Sequence, residues 1–208
     1  MIVDKIALKK RLSHSLLGWP AQRHMSPAQD PRYRVLTSDY KTAAVMALIY
    51  HSELDGHKLI LIERAKNNPK DKHAGQIGLP GGKYEDQDGD LLTCALREVH
   101  EEIGVAPQDI EVLGSLSQLF VFASNFLVYP YVGFISGTPD YQLQVTEVDS
   151  VLEVRLSTIM DAATKKVTDI DGPNGMISAV PYYDIGGRVL WGATAMIVSE
   201  LEQIILAK

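Results

Sequence analysis

Two nearly continuous apolar runs lie close together in the chain and restrict its fold more than any other feature. The first run covers Ala44 to Tyr50 and the second covers Leu59 to Ile62, with the turn sequence Leu54-Asp55-Gly56 between them. Apolar runs of this length are typical of strands that are buried on both faces. The sequence therefore predicts two central strands joined by a short turn.

Further strand and helix patterns surround this pair. Strands are predicted at about residues 109–118, 126–136 and 151–154, and a hairpin at 180–183 and 188–191. Helices are predicted at about residues 90–103, 156–163 and 193–206, and Pro173-Asn174-Gly175 is a strong turn signal. Strands that surround a central and a terminal helix indicate an α/β (α+β) fold, in which a mixed β-sheet is sandwiched between helices.

The N-terminal region differs in character from the rest. Residues 4–17 carry apolar positions at helical spacing among lysines and arginines, which predicts a short amphipathic helix that Trp19-Pro20 ends. Residues 20–42 are polar and contain Pro20, Pro27 and Pro31, which indicates an extended arm. We therefore divide one globular chain into a helix and arm, residues 1–42, and a main domain, residues 43–208.

The bulk composition excludes several classes of protein. Hydrophobic residues make up 46% and charged residues 22% of the chain, which is wrong for a disordered protein. The net charge of −6 weighs against nucleic acid as a partner, which needs a basic surface. No apolar run of about 18 residues and no basic-then-apolar start occur, so we expect no membrane span, no signal peptide and a cytoplasmic location.

The predicted central helix carries a group of carboxylates beside its apolar stripe. Glu98, Glu101 and Glu102 share one edge of the helix, because residues three and four apart are neighbours there. Like charges at this spacing repel, and a divalent cation such as Mg²⁺ or Mn²⁺ would turn the repulsion into a binding site with oxygen ligands. The alternative is a solvated acidic face without a ligand.

A glycine-rich segment, Gly75 to Gly82, comes shortly before this helix and ends in Pro80-Gly81-Gly82. Glycine lets backbone groups approach a ligand closely, either as amide donors to phosphate or as a carbonyl ligand to a metal. An ordinary turn is the alternative for Pro80-Gly81-Gly82 taken alone. The carboxylate helix and this segment together favour a site for a metal and a phosphate.

The region from Gly82 to Val105 resembles the signature of the Nudix hydrolases. That signature has a glycine, an acidic residue and then Arg-Glu-x-x-Glu-Glu-x-Gly-apolar, and here these are Gly82, Asp88 and the run from Arg97 to Val105. Two departures are that Asp88 stands in place of glutamate and that the gap from it to Arg97 is one residue longer. The resemblance implies the Nudix fold and metal-dependent hydrolysis of a pyrophosphate linkage by water.

Two upstream segments are similar to the coenzyme A pyrophosphatase branch of that family. They are Leu61-Ile62-Glu63-Arg64-Ala65 and Gly75-Gln76-Ile77-Gly78-Leu79-Pro80-Gly81-Gly82, with Ile62 in place of Thr and Leu79 in place of Phe. This resemblance implies coenzyme A or acyl-coenzyme A as substrate, cut to 3′,5′-ADP and 4′-phosphopantetheine. A broader ADP-ribose or dinucleotide pyrophosphatase is the alternative. A catalytically silent Nudix sensor is disfavoured because all three glutamates of the Nudix signature are present.

The resemblance also implies roles for individual residues. The predicted metal ligands are Glu98, Glu101 and Glu102, and the predicted catalytic residues are Glu101, Glu147 and Arg97. Glu147 would be the general base or a further ligand rather than a plain surface carboxylate, and Arg97 would hold Asp88 or Glu85. The predicted substrate-binding residues are Arg64, Lys72, His73, Gln76, Gly81 and Gly82. We expect a phosphorylated small molecule as substrate and a homodimer as a possible assembly, with the N-terminal arm as a contact.

Overall fold

A computed structural model describes residues 3–27, 38–67, 73–172 and 175–207 of the chain. We number its helices and strands in chain order. The helices are α1 (Lys5–Leu12), α2 (Trp19–Gln22), α3 (Leu91–Ile103), α4 (Leu156–Met160) and α5 (Gly192–Leu206). The strands are β1 (Lys41–Ser52), β2 (Gly56–Arg64), β3 (Ile77–Gly78), β4 (Gly81–Lys83), β5 (Ile110–Ser115), β6 (Leu119–Val121), β7 (Phe126–Ile135), β8 (Val148–Arg155), β9 (Lys165–Gly172), β10 (Gly175–Asp184) and β11 (Val189–Trp191).

The main sheet is mixed, as predicted. The order of its main strands is β3-β2-β1-β7-β5. In addition, β4 pairs with β1, β6 pairs with β7 and β8 pairs with β2. The strand pair predicted from the two apolar runs is present as β1 and β2, which pair antiparallel, whereas β1 and β7 are parallel. The sheet therefore contains both kinds of pairing around β1.

One edge of β1 is shared by two partners, and this division creates space for a site. β1 pairs with β2 from Leu48 to Ser52 but with β4 from Ala43 to Val45. The rest of β2 pairs with β3, where Ile62 lies opposite Gly78. β1 and β2 thus separate on the N-terminal side of Leu48 in β1, and the short turn from β3 to β4 bridges the gap. The glycine-rich segment lies in this opening of the sheet.

The sheet lies between two helices, which confirms the predicted sandwich. Alternate residues of β1 belong to opposite core clusters because successive side chains of a strand point to opposite faces. Ala44, Met46, Leu48 and Tyr50 share one cluster with α3, and Ala43, Ala47 and Ile49 share the other with α5. β1 is therefore buried on both faces, as its apolar run predicted.

A smaller sheet has the order β11-β10-β9. The predicted hairpin corresponds to the pairing of β10 with β11, in which Tyr182 lies opposite Trp191. The sequence did not predict β9, in which most of the described side chains are exposed and half of the residues are charged. Of the predicted turn at 173–175, Pro173 and Asn174 lie outside the described residues, and Gly175 begins β10.

The N-terminal segment packs on the α5 side of the sheet. Leu8 and Leu12 of α1 are buried in the cluster that contains α5, and α1 ends at Leu12 rather than near residue 17. The extended conformation predicted from residue 20 is wrong for residues 20–25, which are helical. Pro20 lies in the first turn of α2, where a missing N–H has no helical partner to lose. Residues 28–37 of the predicted arm lie outside the described part of the chain.

A fully buried carboxylate joins this segment to α5. Glu200 accepts hydrogen bonds from the Gly18 N–H at 2.8 Å and the Gln22 side-chain amide at 2.9 Å. The Ser117 hydroxyl donates to it at 2.6 Å and the Ser117 N–H at 3.2 Å. Burial of a carboxylate is unfavourable unless donors of this kind satisfy it. Glu200 therefore holds residues 18–22 and the start of the loop before β6 against α5.

Among the helices that the structure describes, none is long and apolar enough to cross a membrane.

Candidate active site

The glycine-rich turn depends on its glycines for steric reasons. Gly81 has a φ of +146°, and a Cβ atom there would lie 2.4 Å from the carbonyl oxygen of Ala44. Just before it, the Met46 N–H donates to the Pro80 carbonyl oxygen at 2.9 Å. No side chain fits between β4 and β1 at this distance. The turn can therefore lie directly on β1 only with glycine at position 81.

The absence of a side chain at the neighbouring Gly82 leaves room for a carboxylate, whereas at Gly81 it leaves room for β1. A Cβ atom on Gly82 would lie 2.5 Å from the carboxylate atoms of Glu98. α3 packs against β4, so the side chain of Glu98 occupies the space that a side chain at position 82 would need. This contact explains in structural terms why the glycine and the glutamate of the motif occur together.

α3 has the ends that the sequence predicted. The Asp90 carboxylate caps its first turn by accepting the Thr93 N–H at 2.7 Å. Gly104 ends it in the left-handed conformation with a φ of +76°. Between these ends the buried residues Cys94, Ala95, Val99 and Ile103 face the sheet. This packing fixes the rotation of α3 and directs Glu98 and Glu102 toward the glycine-rich turn.

Glu102 is the most buried of the three motif glutamates, with 1% of its surface exposed. Its carboxylate accepts the Gly81 N–H at 2.8 Å, and Nη1 of Arg64 lies 3.7 Å from it. Burial raises the pKa of Glu102 to about 8, although the Gly81 N–H and Arg64 act in the opposite direction. The charged form of this carboxyl is thus disfavoured in the protein without a cation.

Glu98 lies in a similar environment. Burial raises the pKa of its carboxyl, Arg97 lowers it, and the charges of Glu101 and Glu147 raise it. The charge of Glu147 also raises the pKa of Glu102. The charge of Glu147, which the sequence predicted as a base or further ligand, therefore acts on both carboxyls although Glu147 is distant from them in the chain.

Arg97 connects the loop to the helix through several ion pairs. Its guanidinium donates to Asp88 at 2.6 and 3.1 Å and to Glu101 at 2.8 Å, and it lies 2.9 Å from Glu98. These contacts with Arg97, above all its hydrogen bond, lower the pKa of Asp88 to about 2. Of the two carboxylates considered for Arg97, the structure places Asp88 there, and Glu85 donates its own N–H to Asp88 at 2.8 Å.

The three motif glutamates are not gathered into one cluster. Glu101 is exposed and faces Arg97, and within the described ranges no group of three or more His, Cys, Asp or Glu residues is arranged to hold a metal. The donor set nevertheless fits a divalent cation, because Glu98 and Glu102 offer carboxylate oxygens beside the glycine turn. Positive charge near them would offset the unfavourable burial of their ionised forms.

The predicted substrate-binding residues lie along the edge of this opening, as far as the structure describes them. Nδ1 of His73 is 3.1 Å from the side-chain oxygen of Gln76, and the Gln76 carbonyl accepts the Arg64 N–H at 3.0 Å. Arg64 in turn is next to Glu102. Lys72 lies outside the described residues. His73 and Gln76 are thus connected to the glutamates through Arg64.

The sequence did not predict the contacts that hold the segment before Glu147. Backbone N–H groups of Gln142 and Gln144 donate to the last carbonyls of α3, each at 3.0 Å. Such contacts join backbone groups far apart in sequence, so no local pattern signals them. The one related signal is Gly104, which the sequence identified as a helix end but not as a point of close approach.

Comparisons with known proteins identify the family of the chain. The NUDIX domain model matches residues 40–174. A protein of Citrobacter koseri described as the uncharacterized Nudix hydrolase NudL is 32% identical over 175 residues, covering 82% of this chain and 86% of its own. The NudL of Escherichia coli strain SMS-3-5 is 31% identical with the same coverage. The chain belongs to the Nudix family and is a Nudix hydrolase, which acts on pyrophosphate bonds.

A solved structure supports the fold separately. A MutT/nudix family protein from Enterococcus faecalis aligns with a TM-score of 0.53 at 18% identity, covering 99% of this chain and 76% of its own. At this identity the likeness concerns the fold alone. Nudix hydrolases generally use divalent metal ions, and the carboxylates described above are the groups that would hold one here.

Proposed function

We propose that the chain hydrolyses the pyrophosphate bond of coenzyme A or acyl-coenzyme A, with Mg²⁺ or Mn²⁺ as cofactor. The observation that supports this best is the position of Arg64. It belongs to the segment Leu61 to Ala65, which resembles the coenzyme A branch, and its guanidinium lies beside Glu102 of the Nudix motif. The two sequence resemblances therefore meet at one place in the fold.

In this proposal Glu98, Glu101 and Glu102 would hold the metal, which would supply positive charge to offset the negative charge that develops on the phosphate oxygens. Arg97 keeps Glu98 and Glu101 on the side of the helix that faces Lys83 and Asp88. Gly81 fixes the carboxylate of Glu102 through its N–H. The turn thus holds Glu102 and Arg97 holds Glu98 and Glu101, so Glu101 would leave Arg97 to join the other two ligands.

Glu147 is proposed to accept the proton of the attacking water. It is exposed, so water reaches it, and its charge acts on both Glu98 and Glu102. A general base must lie within hydrogen-bond reach of the proton that it accepts. Arg64, His73, Gln76, Gly81 and Gly82 would line the site for the substrate phosphates, with the Gly81 N–H itself donated to Glu102. Lys72 remains a predicted contact. The homodimer and the cytoplasmic location also remain predictions.

A substrate panel tests the proposal. Coenzyme A, dephospho-coenzyme A, ADP-ribose, NADH and nucleoside triphosphates are incubated with Mg²⁺ or Mn²⁺, and products are separated by chromatography. We expect the highest kcat/KM for coenzyme A, with 3′,5′-ADP and 4′-phosphopantetheine as products. Equal kcat/KM for coenzyme A and its dephospho form would exclude recognition of the 3′-phosphate. Faster hydrolysis of ADP-ribose would replace the proposal with the broader pyrophosphatase.

A matched pair of variants links the activity to the site. Glu102→Gln should abolish turnover, because it removes a carboxylate charge beside the turn while keeping the side-chain shape. Glu53→Gln, in the exposed turn between β1 and β2, makes the same chemical change far from the motif and should keep full turnover. Unimpaired turnover by Glu102→Gln would contradict the assignment of the active site.

A further inference from the structure

The last turn of α3 is bonded to a distant part of the chain. The final carbonyls of a helix have no partner inside the helix and must find one elsewhere. Here the Gln142 N–H donates to the Ile103 carbonyl and the Gln144 N–H to the Glu102 carbonyl, each at 3.0 Å. Residues 142–147, which we name the docking segment, are therefore bonded through Gln142 and Gln144 to the end of the helix that carries Glu101 and Glu102.

Gly104 makes this close approach possible. A Cβ atom at position 104 would lie 2.7 Å from Cβ of Gln142 and 2.8 Å from its backbone nitrogen. Two requirements therefore coincide at this residue. One is the left-handed φ of +76°, and the other is the absence of a side chain where the docking segment crosses. The left-handed φ serves the end of the helix, whereas the absence of a side chain serves the approach of the docking segment.

The docking segment ends at Glu147, whose backbone is held by two hydrogen bonds. The Glu147 N–H donates to the Gln144 carbonyl, and its own carbonyl accepts the Ala65 N–H, both at 2.8 Å. Ala65 follows Arg64, whose guanidinium lies beside the Glu102 carboxylate. A closed path of contacts thus runs from Glu102 through Gln144, Glu147 and Arg64 back to Glu102. Displacement of the segment at Gly104 would alter this path and the distance from Glu147 to the helix.

We propose that Gly104 is a positioning residue for hydrolysis, which acts by letting the docking segment hold Glu147 beside Ala65, the chain neighbour of the Arg64 that contacts Glu102. This rests on the proposed role of Glu147. Gly104 does not touch the substrate itself. Its effect is expected on kcat, because a base displaced by about 1 Å can lower the rate by about 100-fold while substrate contacts elsewhere persist.

A pair of asparagine variants separates the close approach from the backbone conformation. Asparagine tolerates left-handed φ better than other side chains, so Gly104→Asn mainly adds a Cβ atom. Gly137→Asn is the matched control, because Gly137 has a φ of +87° and a Cβ atom there would meet nothing within 4 Å. We expect Gly104→Asn to lower kcat by about 10- to 100-fold with little change in KM. Gly137→Asn should have the kcat of the unaltered protein.

Combination with Glu147→Gln tests whether Gly104 acts through Glu147. If it does, the double variant turns over no more slowly than Glu147→Gln alone. Independent, multiplied losses would overturn the proposal, as would a normal kcat in Gly104→Asn when Glu147→Gln is impaired. Unimpaired turnover by Glu147→Gln alone would instead refute the role of Glu147 in the proposed function, and the positioning role with it.

Hydrogen exchange in the metal-free protein provides a readout that does not depend on activity. The amides of Gln142 and Gln144 should exchange slowly in the unaltered protein and faster in Gly104→Asn, while Gly137→Asn leaves them unchanged. Unchanged exchange in Gly104→Asn would overturn the proposal. If Gly104→Asn does not fold, Gly104→Ala places the smaller side chain at the same contact, and the same two outcomes apply to it.

Discussion

Two buried carboxyl groups, those of Glu200 and Glu102, lie in different surroundings. Glu200 accepts hydrogen bonds from neutral donors of Gly18, Gln22 and Ser117, and these satisfy its carboxylate inside the core. Glu102 receives one N–H at 2.8 Å and a more distant Arg64, and burial raises its pKa to about 8. The Glu200 carboxylate therefore has a structural role, whereas the Glu102 carboxylate would be stabilised by further positive charge.

The role of Glu200 yields a stability prediction. In Glu200→Gln, an amide NH₂ would face N–H and O–H donors, so at least one buried donor loses its acceptor. We expect the free energy of unfolding to fall by about 2–4 kcal/mol, measured by urea denaturation. Glu53→Gln, an exposed replacement of the same kind, should change it by less than about 0.5 kcal/mol. An equal, small effect of both would show that Glu200 does not hold the N-terminal segment.

At the scale of helices and strands, the sequence predicted the elements that carry a recognisable pattern in their own residues. β1 and β2 are long enough for an apolar run, and α3 carries its own cap, Asp90, and its own end, Gly104. β3 and β4 have two and three residues, too few for any periodicity, and they are strands only because β2 and β1 offer them partners. The sequence did not predict α2, because a proline such as Pro20 can end one helix or begin another, and here it begins one.

The pairing of β4 with β1 can be tested through Gly81. A Cβ atom in Gly81→Ala would meet the Ala44 carbonyl at 2.4 Å, so β4 must move away and withdraw its N–H from Glu102. We expect a loss of more than about 2 kcal/mol in unfolding free energy, together with loss of turnover. Gly187→Ala is the control for positive φ, because φ is +84° there and nothing lies within 4 Å. Similar effects of both variants would mean that φ alone, and not the close approach, matters.

At the scale of the whole molecule, the site combines parts that the sequence shows and parts that only the fold reveals. The carboxylates of α3 and the glycine turn form a nearly contiguous motif, and the sequence was sufficient to assign them to one candidate site. Three contacts depend on how β2, β8 and α3 pack: the bond of Ala65 to Glu147, the contact of Arg64 with Glu102 and the approach of Gln142 to Gly104. Contacts of this range leave no periodic pattern in a single sequence.

The central claim is that Glu98, Glu101 and Glu102 bind a divalent cation beside the glycine turn. The most direct test is a calorimetric titration with Mn²⁺ at about pH 8.5, where the pKa of Glu102 near 8 leaves most of its carboxyl ionised. Binding should weaken as the pH falls below 8, since the proton then competes with the metal. We predict that the unaltered protein and Glu53→Gln bind Mn²⁺ with equal affinity and that Glu102→Gln binds it far more weakly. Equal affinity in all three proteins would contradict the account.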